Sequence, residues 1–179
     1  MLLEDELIYQ CINGNRIAQK ELYEKYSPMF YAICRRYMPT KAEAEDVLIM
    51  SFTSIFEGLS TVKGNCSLEN WMRKIIVNKS IEMLRRNQKH HELLERYDTW
   101  EEIRVCTSKN VIYSIMDMEY IMKKIQQLSD GYRMVFNLYV IDGYSYQDIS
   151  DMLGINVGTV RSQLAKARKI LQKELQDIR

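Results

Sequence analysis

The run Tyr144-Ser145-Tyr146-Gln147-Asp148-Ile149-Ser150-Asp151-Met152-Leu153-Gly154-Ile155-Asn156-Val157-Gly158-Thr159-Val160 decides how this chain folds. It reads as two helices joined by a tight turn, a helix-turn-helix. Ser145 can cap the first helix with Asp148 in the box position, and Asn156 can cap the second. Ile149, Leu153, Ile155 and Val160 can form the apolar wedge between them. Ser150 is small where they cross, and Gly154 permits the positive φ of the turn. Two short helices packed this way are also a generic structural element, so geometry alone leaves DNA binding and a plain packing role both open.

The second helix narrows that choice. Val157, Val160, Leu164, Ala167 and Leu171 fall on one stripe at three- and four-residue steps and are expected to be buried. Ser162, Lys166, Lys169 and Lys173 lie opposite, with Arg161, Ala165 and Arg168 along the flank. From Asn156 to Lys173 there are five basic residues and no acidic one, which suits a helix facing phosphates. Thr159, Arg161, Ser162 and Gln163 hold the N-terminal polar positions that read base edges, where Arg pairs bidentately with guanine. Lysines further along more naturally meet phosphate. For Lys169 and Lys173 a solvated helix face serves equally well.

Outward from this motif the apolar spacing stays helical almost everywhere, and period-two runs of β-branched residues are absent, which predicts an all-α chain. Asn15 opens a stretch through Tyr26, and Ser27-Pro28 reads as the cap and first turn of a second stretch, Met29 to Met38. Thr40-Lys41-Ala42-Glu43 is a capping box for a helix to about Glu57, and Ser67 can cap another to about Arg86. Residues 1–89 make a first domain, 90–113 an acidic linker and 114–179 a second domain. In the last, Ile115 to Leu128 is periodic and Ser129 can cap a helix to Val140.

Composition excludes much. At 46% hydrophobic and 27% charged, with 7 Gly and 2 Pro in 179 residues, the chain is neither disordered nor fibrous. Glu4, Asp5 and Glu6 stand where a signal peptide needs positive charge, and no apolar run reaches the length of a membrane span. We therefore expect a soluble cytoplasmic protein without membrane insertion. Cys11, Cys34, Cys66 and Cys106 form no CxxC pair, so no metal site is expected and the thiols read as packing residues. There is no Gly-rich phosphate loop, GxSxG elbow or HExxH, hence no catalytic residue and no cofactor are expected. The net charge of +1 conceals unlike parts: 13 basic against 11 acidic residues in Met1 to Lys89, 5 against 8 in His91 to Asp130, and 7 against 5 in Gly131 to Arg179.

In the first domain, Trp71, Lys74, Asn78 and Arg85 share a narrow stripe with Glu82, flanked by Arg73, Lys79 and Arg86. An aromatic, an amide and basic groups together suit single-stranded nucleic acid. A half-buried Trp among ordinary surface charges fits the spacing as well. The preceding helix carries Val47, Leu48, Ile49, Met50, Phe52, Ile55 and Phe56, more apolar surface than one core-facing stripe requires, and the remainder suits a protein partner.

Two segments, Ala44-Glu45-Asp46-Val47 through Arg86 and Leu128 through Leu175, resemble regions 2 and 4 of bacterial RNA polymerase sigma factors of the compact extracytoplasmic-function type. The first rests on Glu45-Asp46 with Phe52, on Trp71-Met72-Arg73-Lys74-Ile75 with Asn78, and on Leu84-Arg85-Arg86. The second rests on Gly143-Tyr144-Ser145-Tyr146 with Ile149, on Leu153-Gly154-Ile155, and on Val157 through Ser162 with Ala167-Arg168. The resemblance implies a promoter-specificity subunit that binds the polymerase core and promoter DNA, both duplex and melted strand, with an anti-sigma factor as a candidate further partner. By position it puts Asp46, Ile49 and Phe52 on the core-binding helix. Lys63, Asn65, Trp71, Lys74, Asn78, Lys79, Arg85 and Arg86 fall on the minus-ten strand path. Tyr146, Thr159, Arg161, Ser162, Gln163, Ala165, Lys166 and Arg168 fall on the minus-thirty-five duplex. Ile49-Met50 replaces a polar pair usual in the family, and Ser150 stands where Ala is common. The rival reading is a stand-alone helix-turn-helix regulator. A receiver domain would show alternating strands and helices, which this chain lacks.

Overall fold

A computed structural model describes residues 4–62, 67–94 and 115–175, and among these there are helices and turns but no strand. The chain divides into two compact units, Met1–Glu82 and Met83–Arg179.

In the first unit α1 (Glu4–Ile12) and α2 (Arg16–Tyr37) pack on each other and on α3 (Lys41–Gly58). α4 (Leu68–Leu94) follows, and its residues from Met83 onward count with the second unit. The Asn15 side chain accepts from the Ile17 and Ala18 N–H groups, and Thr40 and Glu43 close a reciprocal capping box. Ser67 Oγ accepts from the Asn70 N–H at 3.3 Å. α3 buries Ala44, Val47, Leu48, Ser51, Phe52 and Ile55, a strict three- and four-residue stripe. The rings of Tyr23 and Phe30 flank Phe52, with centroids 4.6 and 6.2 Å away. Ser51 and Ser80, both fully buried, donate to the carbonyls of Val47 and Ile76 four residues back, so neither hydroxyl is left unsatisfied.

Three boundaries differ from the sequence reading. α2 runs unbroken through Pro28, because the buried Tyr26, Phe30, Ile33, Cys34 and Tyr37 on either side need one continuous face. Their burial outweighs the backbone hydrogen bond that the proline lacks. α1 was not anticipated; it is nine residues long and is anchored by Leu7 and Cys11, buried one turn apart. α4 continues past Arg86 to Leu94, so the first residues of the expected linker are helical.

The second unit contains α5 (Ile115–Gln126), α6 (Asp130–Phe136), a π-helical turn (Asn137–Ile141), α7 (Tyr146–Leu153) and α8 (Val157–Leu175). α8 is the spine, with α5, α6 and α7 packed against it. Ala167 and Leu171 meet Ile125 and Leu128 in a small core edged by Ile121, Met122, Tyr132, Phe136 and Leu175. Ser129 precedes α6 but its side chain makes no capping bond. Arg133, buried at 2% exposure, does the joining instead. Its Nη1 donates to the carbonyls of Gln126 and Leu128, and its Nη2 to the Asp130 carboxylate. Lys124 on α5 and Glu174 on α8 pair at 2.6 Å.

Candidate nucleic-acid interface

The α7–α8 corner is built from local hydrogen bonds. Ser145 Oγ accepts from the Asp148 N–H at 3.1 Å, while the Asp148 carboxylate accepts from the Ser145 N–H at 3.0 Å and its hydroxyl at 2.7 Å. Those bonds from Ser145 hold the Asp148 carboxyl below the usual carboxylate range. Gly154 takes φ 65°, a left-handed conformation that costs glycine nothing, and its N–H closes onto the Ser150 carbonyl. The Ser150 hydroxyl donates to the Ile155 carbonyl at 2.6 Å, which gives the departure from alanine at this position a physical role. Asn156 Oδ1 then accepts from the Gly158 N–H at 2.7 Å and starts α8. Ile149 and Val160 are fully buried between the helices, with Leu153 and Ile155 half-buried beside them.

The face of α8 opposite its buried stripe is open. Thr159, Arg161, Ser162, Ala165, Lys166, Arg168 and Lys169 are exposed. Ser162 Oγ donates to the Thr159 carbonyl at 3.0 Å. Tyr146 is half-buried at the start of α7. Gln163 stands apart from this set: its amide lies within 3.7 Å of the position a Cβ would take on Gly131, and its Oε1 is buried without a hydrogen bond. It faces α6 rather than the open face.

On α4, Lys74, Asn78, Arg85 and Arg86 are exposed, with Trp71 and Lys79 half-buried. Lys79 pairs with Glu82 at 2.8 Å, and Arg73 with Glu69 at 3.1 Å. The Trp71 ring packs over Gly58, where a Cβ would come within 3.1 Å of it. Lys63 and Asn65 lie outside the described residues. On α3, Asp46 is exposed and Ile49 is 60% exposed, with Met50 beside it. Phe52 is buried at 3% exposure within the aromatic core, so its ring belongs to the interior and not to a surface shared with Asp46 and Ile49.

With this geometry the chain matches the family described as Sigma-70 region 2 over residues 22–90 and that described as Sigma-70, region 4 over residues 118–171. Between them the two matches take in most of the chain. The protein belongs to the sigma-70 family, in its ECF group. The ECF RNA polymerase sigma factor SigW of Bacillus subtilis is 26% identical over 96% of each chain. The ECF RNA polymerase sigma-E factor of Haemophilus influenzae is 24% identical over 99% of this chain and 97% of its own. Among solved structures, the sigma factor RpoE of Bartonella quintana, in complex with the anti-sigma factor NepR, shares the fold with a TM-score of 0.56 at 20% identity. That likeness covers 89% of this chain and 98% of RpoE.

In this sigma factor the region 2 match takes in most of α2, all of α3 and most of α4, and the region 4 match runs from α5 into α8. Cys11 and Cys34 are buried free thiols in the first unit, and burial pushes the Cys34 thiol up to about 12, which leaves it inert. Among the described residues no three His, Cys, Asp or Glu side chains group to hold a metal, and no helix is long and apolar enough to cross a membrane. Sequence reasoning missed Tyr139, half-buried on the π-helical turn beside Tyr146. Nothing in the spacing signals a π turn, so no sequence rule could have brought it to the interface.

Proposed function

We propose that this sigma factor binds the RNA polymerase core and directs transcription initiation at specific promoters. Region 4 holds upstream duplex through α8 and region 2 holds the melted strand along α4. The observation that carries this reading is the exposed, purely basic face of α8 on a capped helix-turn-helix, in one chain with a region 2 unit. Arg161, Ser162, Ala165, Lys166 and Arg168 face duplex DNA, with Thr159 at the entry to the helix. Lys74, Asn78, Arg85 and Arg86, with Trp71 and Lys79 at the edge, line the strand path. Asp46 and Ile49 present a half-polar, half-apolar surface to the core. The protein supplies recognition and no catalytic group of its own, and works in the cytoplasm where the polymerase is. A protein of the anti-sigma class, as bound by RpoE of Bartonella quintana, is its proposed further partner. A stand-alone regulator would leave the region 2 match without a task.

The test is reconstitution with bacterial core polymerase on sheared DNA from the protein's own genome. Transcripts beginning at discrete sites are expected; absence of core binding or of any specific start defeats the reading. Arg161→Ala and Lys166→Ala should each weaken promoter binding, by roughly 1 to 3 kcal/mol where the lost contact is to a base. Unchanged output from the double variant would remove the assignment of this face.

A further inference from the structure

The π-helical turn before α7 brings together four side chains that the sequence separates. Its last bond runs from the Asp142 N–H to the Asn137 carbonyl at 2.9 Å, five residues back, and the Tyr144 N–H reaches the Leu138 carbonyl at 2.9 Å. Such widened turns recur at functional sites. This one sets the Tyr139 ring on the Tyr146 ring, with centroids 4.5 Å apart and planes within 11°. The Arg161 guanidinium lies over the Tyr146 ring at 5.4 Å, and that of Arg168 over the Tyr139 ring at 5.6 Å. The two arginines stand two helical turns apart on α8, about 10.5 Å along its axis, and each has a tyrosine of its own.

We propose that Tyr139 and Tyr146 are positioning residues that hold Arg161 and Arg168 in their DNA-binding conformation before DNA arrives, so that region 4 meets the duplex with a preset pair of guanidinium forks. This rests on the reading of α8 given above. A cation–π contact is made with the charge of the guanidinium and occupies none of its five N–H donors in a hydrogen bond to oxygen or nitrogen. The contact therefore holds the side chain without consuming the donors that pair with guanine or phosphate. The rotamer freedom an arginine would lose on binding has already been lost in the free protein. Lys166, between them, has no such support and a point charge in place of a fork. Tyr139 beside it raises the Tyr146 phenol above its ordinary value.

The test uses the full-length protein, its Tyr139→Phe, Tyr139→Leu, Arg168→Lys and Arg168→Ala variants, and the double variant that joins Tyr139→Leu to Arg168→Ala. In nuclear magnetic resonance spectra of the free protein, the Arg161 and Arg168 δ-methylene signals should be displaced upfield by the rings. The displacement should persist in Tyr139→Phe and collapse for Arg168 in Tyr139→Leu. Reconstituted holoenzyme, on a promoter recovered from the genomic transcription experiment, should lose about tenfold in affinity with Tyr139→Leu and stay within about twofold with Tyr139→Phe. Adding Arg168→Ala to Tyr139→Leu should cost no more than Arg168→Ala alone, because the ring acts only through that arginine. If Tyr139→Leu fails to fold, Arg168→Lys decides: it keeps the charge at an exposed position, and wild-type affinity would overturn the proposal. Unshifted arginine signals, additive losses, or equal affinity for the Phe and Leu variants would also overturn it. Those failures are compatible with normal promoter-specific transcription; absence of any specific start defeats the proposed function, and this inference with it.

Discussion

In region 2 the largest buried side chains are Phe30, Tyr37, Leu22, Met38, Ile55 and Met72, whereas region 4 buries Leu138, Ile149 and Leu164 together with the guanidinium of Arg133 and the amide of Asn137. The first unit is held by apolar volume, with its buried hydroxyls satisfied inside their own helices. The second has a smaller apolar core and relies on directed polar bonds between elements: Arg133 to the end of α5, Ser150 of α7 to Ile155 in the turn, Lys124 to Glu174. The difference teaches where each unit is vulnerable. Volume loss should damage region 2, and loss of single polar atoms should damage region 4.

The strongest attempt to break this contrast is Phe30→Ala. The ring is fully buried beside Tyr26 and Phe52, so its removal should cost about 3 to 5 kcal/mol, seen in urea unfolding followed by circular dichroism. Amide spectra of α7 and α8 should be unaffected; their loss would show that the two units are not distinct in stability. Next is Arg133→Met, similar in volume but without donors. It strands the Gln126 and Leu128 carbonyls and should destabilise region 4 by about 3 kcal/mol. A neutral result in thermal melts would show that apolar packing, not the guanidinium fork, joins α5 to α6.

Smaller effects sharpen the comparison. Ser145→Ala removes one cap of α7 and should cost about 1 kcal/mol. Because Asp148 is held below its ordinary value by Ser145, its contribution is complete above the unfolded carboxylate pKa of about 3.9. It is lost as pH falls through the lower folded value. Acid unfolding of the wild type should thus be steeper below about pH 4 than that of Asp148→Asn, as read by melts from about pH 6 to pH 2. The smallest effect belongs to Lys124 and Glu174. Hydrogen bonding to each other raises the lysine and lowers the glutamate. The pair therefore contributes between the unfolded values of about 4.3 and 10.4, fading below the first and above the second. With Glu174 half-exposed, solvent screening leaves about 0.5 kcal/mol, which molar salt should abolish.

Much of this was legible because it is local. Thr40 with Glu43, Ser145 with Asp148, and Gly154 at the turn each declare themselves within four residues, and the structure shows each bond. The stripe Val157, Val160, Leu164, Ala167, Leu171 was equally plain; the last four are buried, and Val157, in the first turn of α8, is half-buried. The errors arose where distant packing overrides a local sign. Ser27-Pro28 reads as a helix start, yet the residues around it are needed on one face against α3. Leu7 and Cys11 are too few to announce α1 beside the acidic Glu4-Asp5-Glu6. Phe52 and Ile49 stand three residues apart on one helix, and only tertiary packing sends one inward and leaves the other at the surface. On the proposed DNA-facing side, residue types single out α8, but whether Gln163 turns outward or toward Gly131 depends on how closely α6 approaches.

Ser150 gives the α7–α8 corner a property best expressed in time. Its carbonyl accepts from the N–H groups of both Gly154 and Ile155, and its hydroxyl returns a bond to the Ile155 carbonyl. Three bonds through one residue must break together before the corner can open. The amides of Gly154 and Ile155 should therefore exchange with solvent only in the rare global openings of the unit, far more slowly than their place in a surface turn would imply. The angle between the two helices then persists through many encounters with DNA, and the search for a promoter is made by a rigid reader.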